Sequence, residues 1–483
     1  MRRRVVARLL GLLIVSIALN MIGALLWAIY FSEPVWKHFL LTIVLALILG
    51  FGLMWEGKKE HFVSLSRKEA MLMVGLGWFV AGLVGAVPFY ISGHIPHYYD
   101  AFFETISGFT TTGASILTNI EAMPKGLLFW RSYTHWLGGM GIIVLFVALF
   151  PFLGVSGKKM YQFEVPGPDV GGLKPKIQSS AFILWAIYVG ISVAETVALR
   201  LAGMPLYDAM CHTFGTMATG GFSTKNASIG FYTSPIIHII IIVFMISAGA
   251  NFSLYYLLLK KNARQVLRDK ELQTYLAVIA LSIVIFSVLL YTPEYYTSAF
   301  EAVVSSSFNA VSIMTTTGYA TADTDTWPML SKAWLLVLMF IGGCGGSTGG
   351  GIKVVRYLIL IKYAYTQIIT SYAPQRKIIL KLSGRPVSQP VIDRTLSFFF
   401  LYLLIYGIGV LVIAGYGYDW PTTISSVAAC LNNIGPGFSL VGATGNYAFM
   451  QPFAKVFLAV YMVAGRLELF ALMIYVAPDF WKR

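Results

Sequence analysis

The sequence predicts an all-α polytopic membrane protein, in which two extra helices precede four parallel repeats of helix, short helix and helix about a pseudo-four-fold axis. Three observations predict it. Of 483 residues, 57% are hydrophobic and only 12% charged, with a mean hydropathy of +0.73, far from the balance of a soluble globular domain. Apolar stretches long enough to cross a hydrocarbon core roughly 30 Å thick follow one another along nearly the whole chain. Between alternate stretches lies a shorter apolar segment and a polar turn, and this unit recurs four times at intervals of about 100 residues, as an internal repeat does.

In chain order, full-length spans are predicted at 5–31, 36–56, 69–93, 128–153, 178–203, 234–260, 272–292, 330–360, 394–416 and 452–477. The first, Val5 to Phe31, is too long for a signal-peptide core and lacks a small-residue cleavage site, so it is expected to stay as a spanning helix. The segments 97–109, 206–217, 299–314 and 420–431 are too short to cross and are expected to be re-entrant. No strand is required. The implied divisions are 1–66 for the two-helix segment and 67–160, 161–268, 269–375 and 376–483 for the four repeats.

Basic residues recur after every second span: Arg2, Arg3, Arg4 and Arg8; Lys58, Lys59, Arg67 and Lys68; Lys158, Lys159, Lys174 and Lys176; Lys260, Lys261, Arg264, Arg268 and Lys270; Arg376, Lys377, Lys381, Arg385 and Arg394; and finally Lys482 and Arg483. The opposite loops hold Asp100, Glu104, Glu121, Asp208, Glu301, Asp323, Asp325 and Asp419. Positive charge marks cytoplasmic loops, so both termini are expected in the cytoplasm and the short segments enter from outside. The formal charge of +14 therefore reports topology and not nucleic acid, which calls for a basic face on a soluble domain. Cys211, Cys344 and Cys430 have no paired spacing, which argues against a disulfide framework or a metal cluster. His135, His212 and His238 likewise lack metal spacing. No nucleophile sits with a base or a metal-ligand set, so an enzyme is not expected.

The four turns read Thr110-Thr111-Thr112-Gly113-Ala114-Ser115, Ala218-Thr219-Gly220-Gly221-Phe222-Ser223, Thr315-Thr316-Thr317-Gly318-Tyr319-Ala320 and Asn432-Asn433-Ile434-Gly435-Pro436-Gly437. Non-helical backbone at membrane depth is tolerated only where protein buries it or where it lines a watery path. A short helix entering from outside points its negative dipole end at the membrane centre, which favours a cation there. The returning chain can aim carbonyl oxygens at a shared axis, and carbonyl rings replace the hydration shell of a large alkali ion. Each unit is thus an M1-pore helix-M2 repeat. The carbonyls of Thr111, Thr112, Gly113, Thr219, Gly220, Thr316, Thr317, Gly318, Asn433, Ile434 and Gly435 are the candidate ion ligands. Gly113, Gly220, Gly318 and Gly435 are expected where the backbone needs positive φ or a close approach. Thr110 and Thr315 count as support. One such turn alone reads more simply as a helix-contact site, because small residues let membrane helices approach; four at matched positions favour the pore. The outer acids Asp100, Asp208 and Asp419 either concentrate cations or cap helices.

At these turns, together with Trp136-Leu137-Gly138-Gly139-Met140-Gly141, the sequence resembles the Trk/Ktr/HKT superfamily of potassium transporters, and within it the bacterial TrkH-type membrane subunits, over almost the whole chain. The resemblance implies four-fold pseudosymmetry in one chain, a homodimer in the bacterial inner membrane, and potassium as the transported substrate with one filter glycine per repeat. The fourth repeat departs most, with Asn432-Asn433-Ile434 where threonines are expected.

Two sites interrupt helices. The run from Gly342 to Lys353, holding Gly345, Gly346, Gly349 and Gly350, has too much glycine for a helix interior. It lacks the Gly-Lys-Ser/Thr ending of a phosphate cradle, and a kink is the plain alternative. The resemblance implies a loop below the filter that obstructs the pore until it moves, with Lys353 available for a cytoplasmic-side contact. In the last span stands Gly465-Arg466-Leu467-Glu468. A charge at mid-membrane is costly and marks function unless it is merely packed, and the resemblance implies that Arg466 projects into the pore as a barrier to cations. Glu468, two positions on, does not share its face. No organic cofactor is expected in this chain. The resemblance also implies a separate cytoplasmic ring subunit binding adenine nucleotides or NAD. The competing reading is a proton- or sodium-coupled symporter, which calls for buried titratable groups at mid-membrane; Glu195 and Glu468 are the chief ones.

Overall fold

The computed structural model describes residues 2–57, 66–141, 177–376 and 378–481. Lys58, Lys59, Lys158, Lys159, Lys174, Lys176, Lys377, Lys482, Arg483 and the second half of the 128–153 span lie outside the described residues. Among the described residues the architecture is helical, apart from a two-residue antiparallel pairing of Lys381–Leu382 with Arg385–Pro386 and an isolated parallel bridge between Ile341 and Ile352, which the sequence did not call for.

Two helical stretches come first. Arg3–Tyr30, turned slightly at Met21, packs along Trp36–Glu56, and Gly11 lets the two backbones approach, because a methyl there would overlap the Gly50 carbonyl. Arg67–Ile91 then opens the first repeat with a capping box: Glu69 N–H donates to Ser66 Oγ at 3.1 Å and Ser66 N–H donates to Glu69 Oε2 at 2.9 Å, satisfying two amides that a helix start leaves without partners. Arg2 also reaches this carboxylate, Nη2 to Oε2 at 2.9 Å, and ties the N-terminus to the first repeat.

Each repeat then supplies a first helix, a pore helix, a turn and a second helix. The first helices are Arg67–Ile91, Ile177–Leu201, Lys270–Leu290 and Gln389–Ala414; the pore helices are Tyr98–Phe109, Leu206–Met217, Ala299–Met314 and Trp420–Leu431. The second helices depart from expectation. The sequence marks interruptions in 330–360 and at Gly465-Arg466 in 452–477, and none in 234–260. In the structure Pro235–Gly249 meets Phe252–Leu259 at 96° and Pro452–Arg466 meets Phe470–Val476 at 115°. Met329–Phe340 also stops, and Lys125–Gly139 ends at the same point of its repeat. Among the described residues, six helices are long and apolar enough to cross a membrane, or eight with the two bent pairs. In the first and fourth repeats the second helix presses on the pore-helix end close to where it stops, since a methyl on Gly138 would overlap the Phe109 carbonyl and one on Gly465 the Leu431 carbonyl.

The repeats close on themselves. Lys455 of the fourth second helix donates to Asp100 Oδ1 of the first pore helix at 2.6 Å, and both ends of this pair are largely buried. Aromatic packing fills the outside of the ring near repeats one and two, where Trp136 meets Trp185, Tyr188 and Phe214.

Candidate functional site: four turns, a glycine loop and an arginine

The four pore helices end in the same way. In the first, Thr111 N–H donates to the Gly108 carbonyl and Thr112 N–H to Ser107; in the second, Thr219 to Thr216 and Gly220 to Gly215; in the third, Thr316 to Ile313 and Thr317 to Ser312; in the fourth, Asn433 to Cys430 and Ile434 to Ala429. This is the paired bonding of a Schellman helix end, and its left-handed residue is Thr111 (φ 57°), Thr219 (φ 55°), Thr316 (φ 61°) or Asn433 (φ 55°). Glycine usually holds that position. A β-branched residue there is strained, and the same strain at three matched threonines marks a site held by its surroundings.

Two residues later the chain takes positive φ again, at Gly113 (79°), Gly221 (78°), Gly318 (80°) and Gly435 (96°). The second repeat corrects the sequence reading. Gly221, not Gly220, stands in register with the other three, and Gly220 matches Thr112, Thr317 and Ile434. The doubled glycine hid the register. Gly220 is small for another reason, since a methyl there would lie 2.5 Å from the His135 ring.

The turns meet. A methyl on Gly113 would overlap the Gly220 carbonyl oxygen, one on Gly221 that of Thr317, one on Gly318 that of Ile434, and one on Gly435 would lie 2.6 Å from the oxygen of Thr112. Each positive-φ glycine thus abuts the carbonyl of the next repeat, and the fourth returns to the first. The candidate ligand positions Thr111, Thr112, Gly113, Thr219, Gly220, Thr316, Thr317, Gly318, Asn433, Ile434 and Gly435 are brought into one ring, at the negative ends of four helix dipoles.

Side chains behind the ring hold it. Thr110 and Thr112 hydroxyls lie 2.8 Å apart and Thr315 and Thr317 hydroxyls 2.7 Å apart, while in the fourth repeat Asn433 Nδ2 donates to Thr112 Oγ1 at 2.9 Å and to the Met462 carbonyl at 2.9 Å. His135 bridges two repeats: Nδ1–H donates to the Gly108 carbonyl at 2.7 Å and Phe222 N–H donates to Nε2 at 3.2 Å, a pattern that a neutral ring satisfies. Tyr447 donates to the Gly435 carbonyl at 2.9 Å. The outer acids are bonded within the protein: Asp208 accepts from Thr224 at 2.7 Å, and Asp419 caps its own helix, accepting from Thr422 N–H at 3.1 Å.

The glycine loop lies against the inner side of the ring. Gly350 N–H donates to Thr316 Oγ1 at 2.6 Å; a methyl on Gly350 would overlap the Asn432 carbonyl and one on Gly349 would sit 3.1 Å from that of Thr315. The second repeat's break supports the loop, with Cys344 N–H on the Gly249 carbonyl at 2.9 Å, Thr348 N–H on Ala248 at 3.3 Å and Phe252 N–H on the Gly346 carbonyl at 3.1 Å. Carbonyls left without partners where a helix stops are satisfied in this way. Glu271 Oε1, which the sequence did not single out, accepts from Gly345 N–H at 2.6 Å and from Val355 N–H at 3.1 Å. Lys353 is 2% exposed and turns back onto the Gly349 carbonyl, which corrects the expectation of a cytoplasmic-side contact.

Arg466 spans the space below. Nη1 donates to the Thr348 carbonyl at 2.7 Å, and Nη2 to the carbonyls of Gly138 and Gly139 at 2.6 Å each. One guanidinium thus joins the fourth repeat to the loop of the third and to the helix end of the first, where a cation also suits the dipole. Glu468 pairs with Arg356, whose guanidinium stacks 3.8 Å from the centre of Phe398.

The chain is similar to known proteins over its whole length. The TrkH family model, described as a cation transport protein, matches residues 36–483. The Trk system potassium uptake protein TrkH of Salmonella typhimurium is 39% identical over 486 residues, covering 100% of both chains, and the Trk system potassium uptake protein TrkG of Escherichia coli (strain K12) is 34% identical over 483 residues, covering 99% of both. The crystal structure of the potassium transporter TrkH from Vibrio parahaemolyticus matches with a TM-score of 0.90 at 34% identity, covering 100% of both chains. These relatives are transport proteins and not enzymes, and on a match that runs from residue 36 to the last residue the chain belongs to the TrkH family of cation transport proteins.

Proposed function

We propose that this chain is the potassium uptake pore of a bacterial inner membrane, with both termini cytoplasmic. The observation that carries the reading is the closed ring, in which Gly113, Gly221, Gly318 and Gly435 each abut a carbonyl of the next repeat. Carbonyls drawn to one axis, at the ends of four dipoles, substitute for the hydration of a large monovalent cation. The loop from Gly345 to Gly350 and the Arg466 guanidinium form the gate in this reading: both lie on the inner side of the ring, and a fixed positive charge there opposes a cation. The four repeat divisions at 67–160, 161–268, 269–375 and 376–483 each contribute one quarter of the filter.

The relatives' name speaks of a Trk system, and the loops among the described residues are too short to hold a nucleotide-binding domain. A homodimer working with a cytoplasmic ring subunit that binds adenine nucleotides or NAD is therefore the assembly we propose, docking on the basic loops around Lys260, Arg264 and Arg376. Co-purification of the full-length chain from its own membranes tests the partner.

A coupled symporter is the second reading. One observation favours it: Glu195 is fully buried, and its two carboxylate oxygens have no hydrogen-bond partner among the described residues. Reconstituted protein assayed with potassium, rubidium, sodium and lithium separates the readings. Rubidium uptake driven by membrane potential alone supports the pore. Uptake that needs an imposed proton or sodium gradient supports the symporter, and no preference for the larger ions would overturn both.

A further inference from the structure

Each pore helix carries a polar residue nine positions before its positive-φ glycine: Glu104, His212, Asn309 and Ser426. In three repeats the residue reaches the limb that leaves the filter. His212 Nε2 lies 2.9 Å from Ser223 Oγ, and Asn309 Nδ2 donates to Thr321 Oγ1 at 3.1 Å. In the first repeat it is a carboxylate. Glu104 Oε1 accepts from the Ser115 hydroxyl at 2.9 Å, and Oε2 accepts from Ile116 N–H at 2.8 Å. Its counter-ion comes from the second helix of the same repeat, Arg131 Nε to Oε1 at 2.6 Å.

The arginine does not stop at the carboxylate. Arg131 Nη1 donates to the Ser223 carbonyl at 3.0 Å, on the outgoing limb of the second repeat, and its guanidinium lies 3.5 Å from the ring centre of Phe222. Phe222 directly follows Gly221 and also packs on His135, at 4.1 Å between ring centres. Glu104 and Arg131 are 1% and 2% exposed. A pair so buried is a weak source of stability, since desolvation offsets the attraction, but its geometry is rigid and specific. It fixes the outgoing limbs of turns one and two relative to each other from behind, at the places where the carbonyls must keep their spacing.

We infer that Glu104 and Arg131 are positioning residues for cation selectivity, acting on the ring through Ser115, Ser223 and Phe222 without touching the ion. The inference rests on the pore reading above. Selectivity by carbonyls depends on how closely the ring holds its size and ligand number, so loosening one quarter lets it contract around a smaller ion. Glu104→Gln removes the charge and turns an acceptor into a donor; Arg131→Lys keeps the charge and loses the stack and the fork.

The test is initial uptake of rubidium and of sodium into proteoliposomes holding the full-length chain, alongside its thermal unfolding. The rubidium-to-sodium ratio is expected to fall about fivefold or more in E104Q and in R131K, and to fall by less in Ser115→Ala, which loses one hydroxyl on a half-buried limb. Should both uptakes fall together, or the melting temperature fall while the ratio holds, the pair is merely structural and the inference is overturned. If E104Q and R131K do not fold, S115A decides: an unchanged ratio there also overturns it. A wild-type protein without rubidium preference would instead sink the pore reading, an outcome distinct from variants that keep the wild-type ratio.

Discussion

Gly350 N–H donates to the Thr316 hydroxyl at 2.6 Å, so the glycine loop and the ring share a hydrogen bond through a residue whose backbone is held at φ 61°. The loop is therefore attached to the third turn and not simply placed beneath it. Of the residues at that position, Thr219 bonds its own repeat, at the Ala218 carbonyl, and Asn433 bonds the first and fourth repeats. The asymmetry follows the loop, which among the described residues belongs to the third repeat.

Removing that acceptor should free the loop. Thr316→Val keeps the shape and leaves the Gly350 amide unsatisfied, a cost of about 1–3 kcal/mol. Basal rubidium flux is expected to rise severalfold and the melting temperature to fall. Thr316→Ser retains the hydroxyl and should behave like the wild type; equal behaviour of Val and Ser in flux would show that the bond plays no part in gating.

Gly221 and not Gly220 carries the ring conformation, so Gly221→Ala should lower rubidium flux by at least about tenfold, because positive φ and the overlap with the Thr317 carbonyl both penalise a side chain. Gly190→Ala is the control. Nothing lies within 4 Å of the place its methyl would take, and uptake should not change. Normal flux in G221A would remove that residue from the ring.

Much of this was legible in the sequence. The pore helices 206–217, 299–314 and 420–431 coincide with observed limits, because a short apolar run closed by Thr-Gly or Asn-Ile-Gly leaves little choice of end. The filter register in repeat two was not, since Gly220-Gly221 offers two equivalent glycines and only the neighbouring turn distinguishes them. The 96° bend after Gly249 was not legible, since the run from Pro235 to Gly249 is apolar and carries no interrupting charge, whereas the 115° bend after Arg466 falls at the Gly465-Arg466 interruption that the sequence marks. Glu271 reaches Gly345 across 74 residues and Arg131 reaches Ser223 across 92, separations at which local pattern carries no information.

Glu271 anchors both ends of the loop with one oxygen, through Gly345 and Val355. It stands in the first turn of Lys270–Leu290, directly after the basic segment from Lys260 to Arg268. Glu271→Ala should leave two buried amides without an acceptor, lowering stability by roughly 1–3 kcal/mol and raising basal flux, whereas Glu271→Gln keeps an acceptor oxygen and should fall between. A melting curve and a flux assay on the same preparations check the order. Wild-type flux in the alanine variant would show that the loop holds without this anchor.

Arg466 makes the strongest demand on the gate, because one guanidinium serves three carbonyls from two repeats. Two effects of Arg466→Ala oppose each other in the assay. Loss of charge-assisted bonds at a helix end lowers stability by about 1.5–3 kcal/mol per bond at most, which reduces the amount of folded protein. Loss of the fixed charge lowers the barrier to a cation by several kcal/mol, since two like charges about 4 Å apart repel by roughly 4 kcal/mol at an effective dielectric constant near 20. Flux per folded molecule is therefore expected to rise by at least about tenfold while the melting temperature falls. Arg466→Lys separates the two: it keeps the charge without the fork that reaches both Thr348 and Gly138, so stability should drop while flux stays low. Equal flux in the alanine and lysine variants would mean that the side chain clamps the loop without opposing the ion electrostatically, and unchanged flux in both would remove Arg466 from the gate.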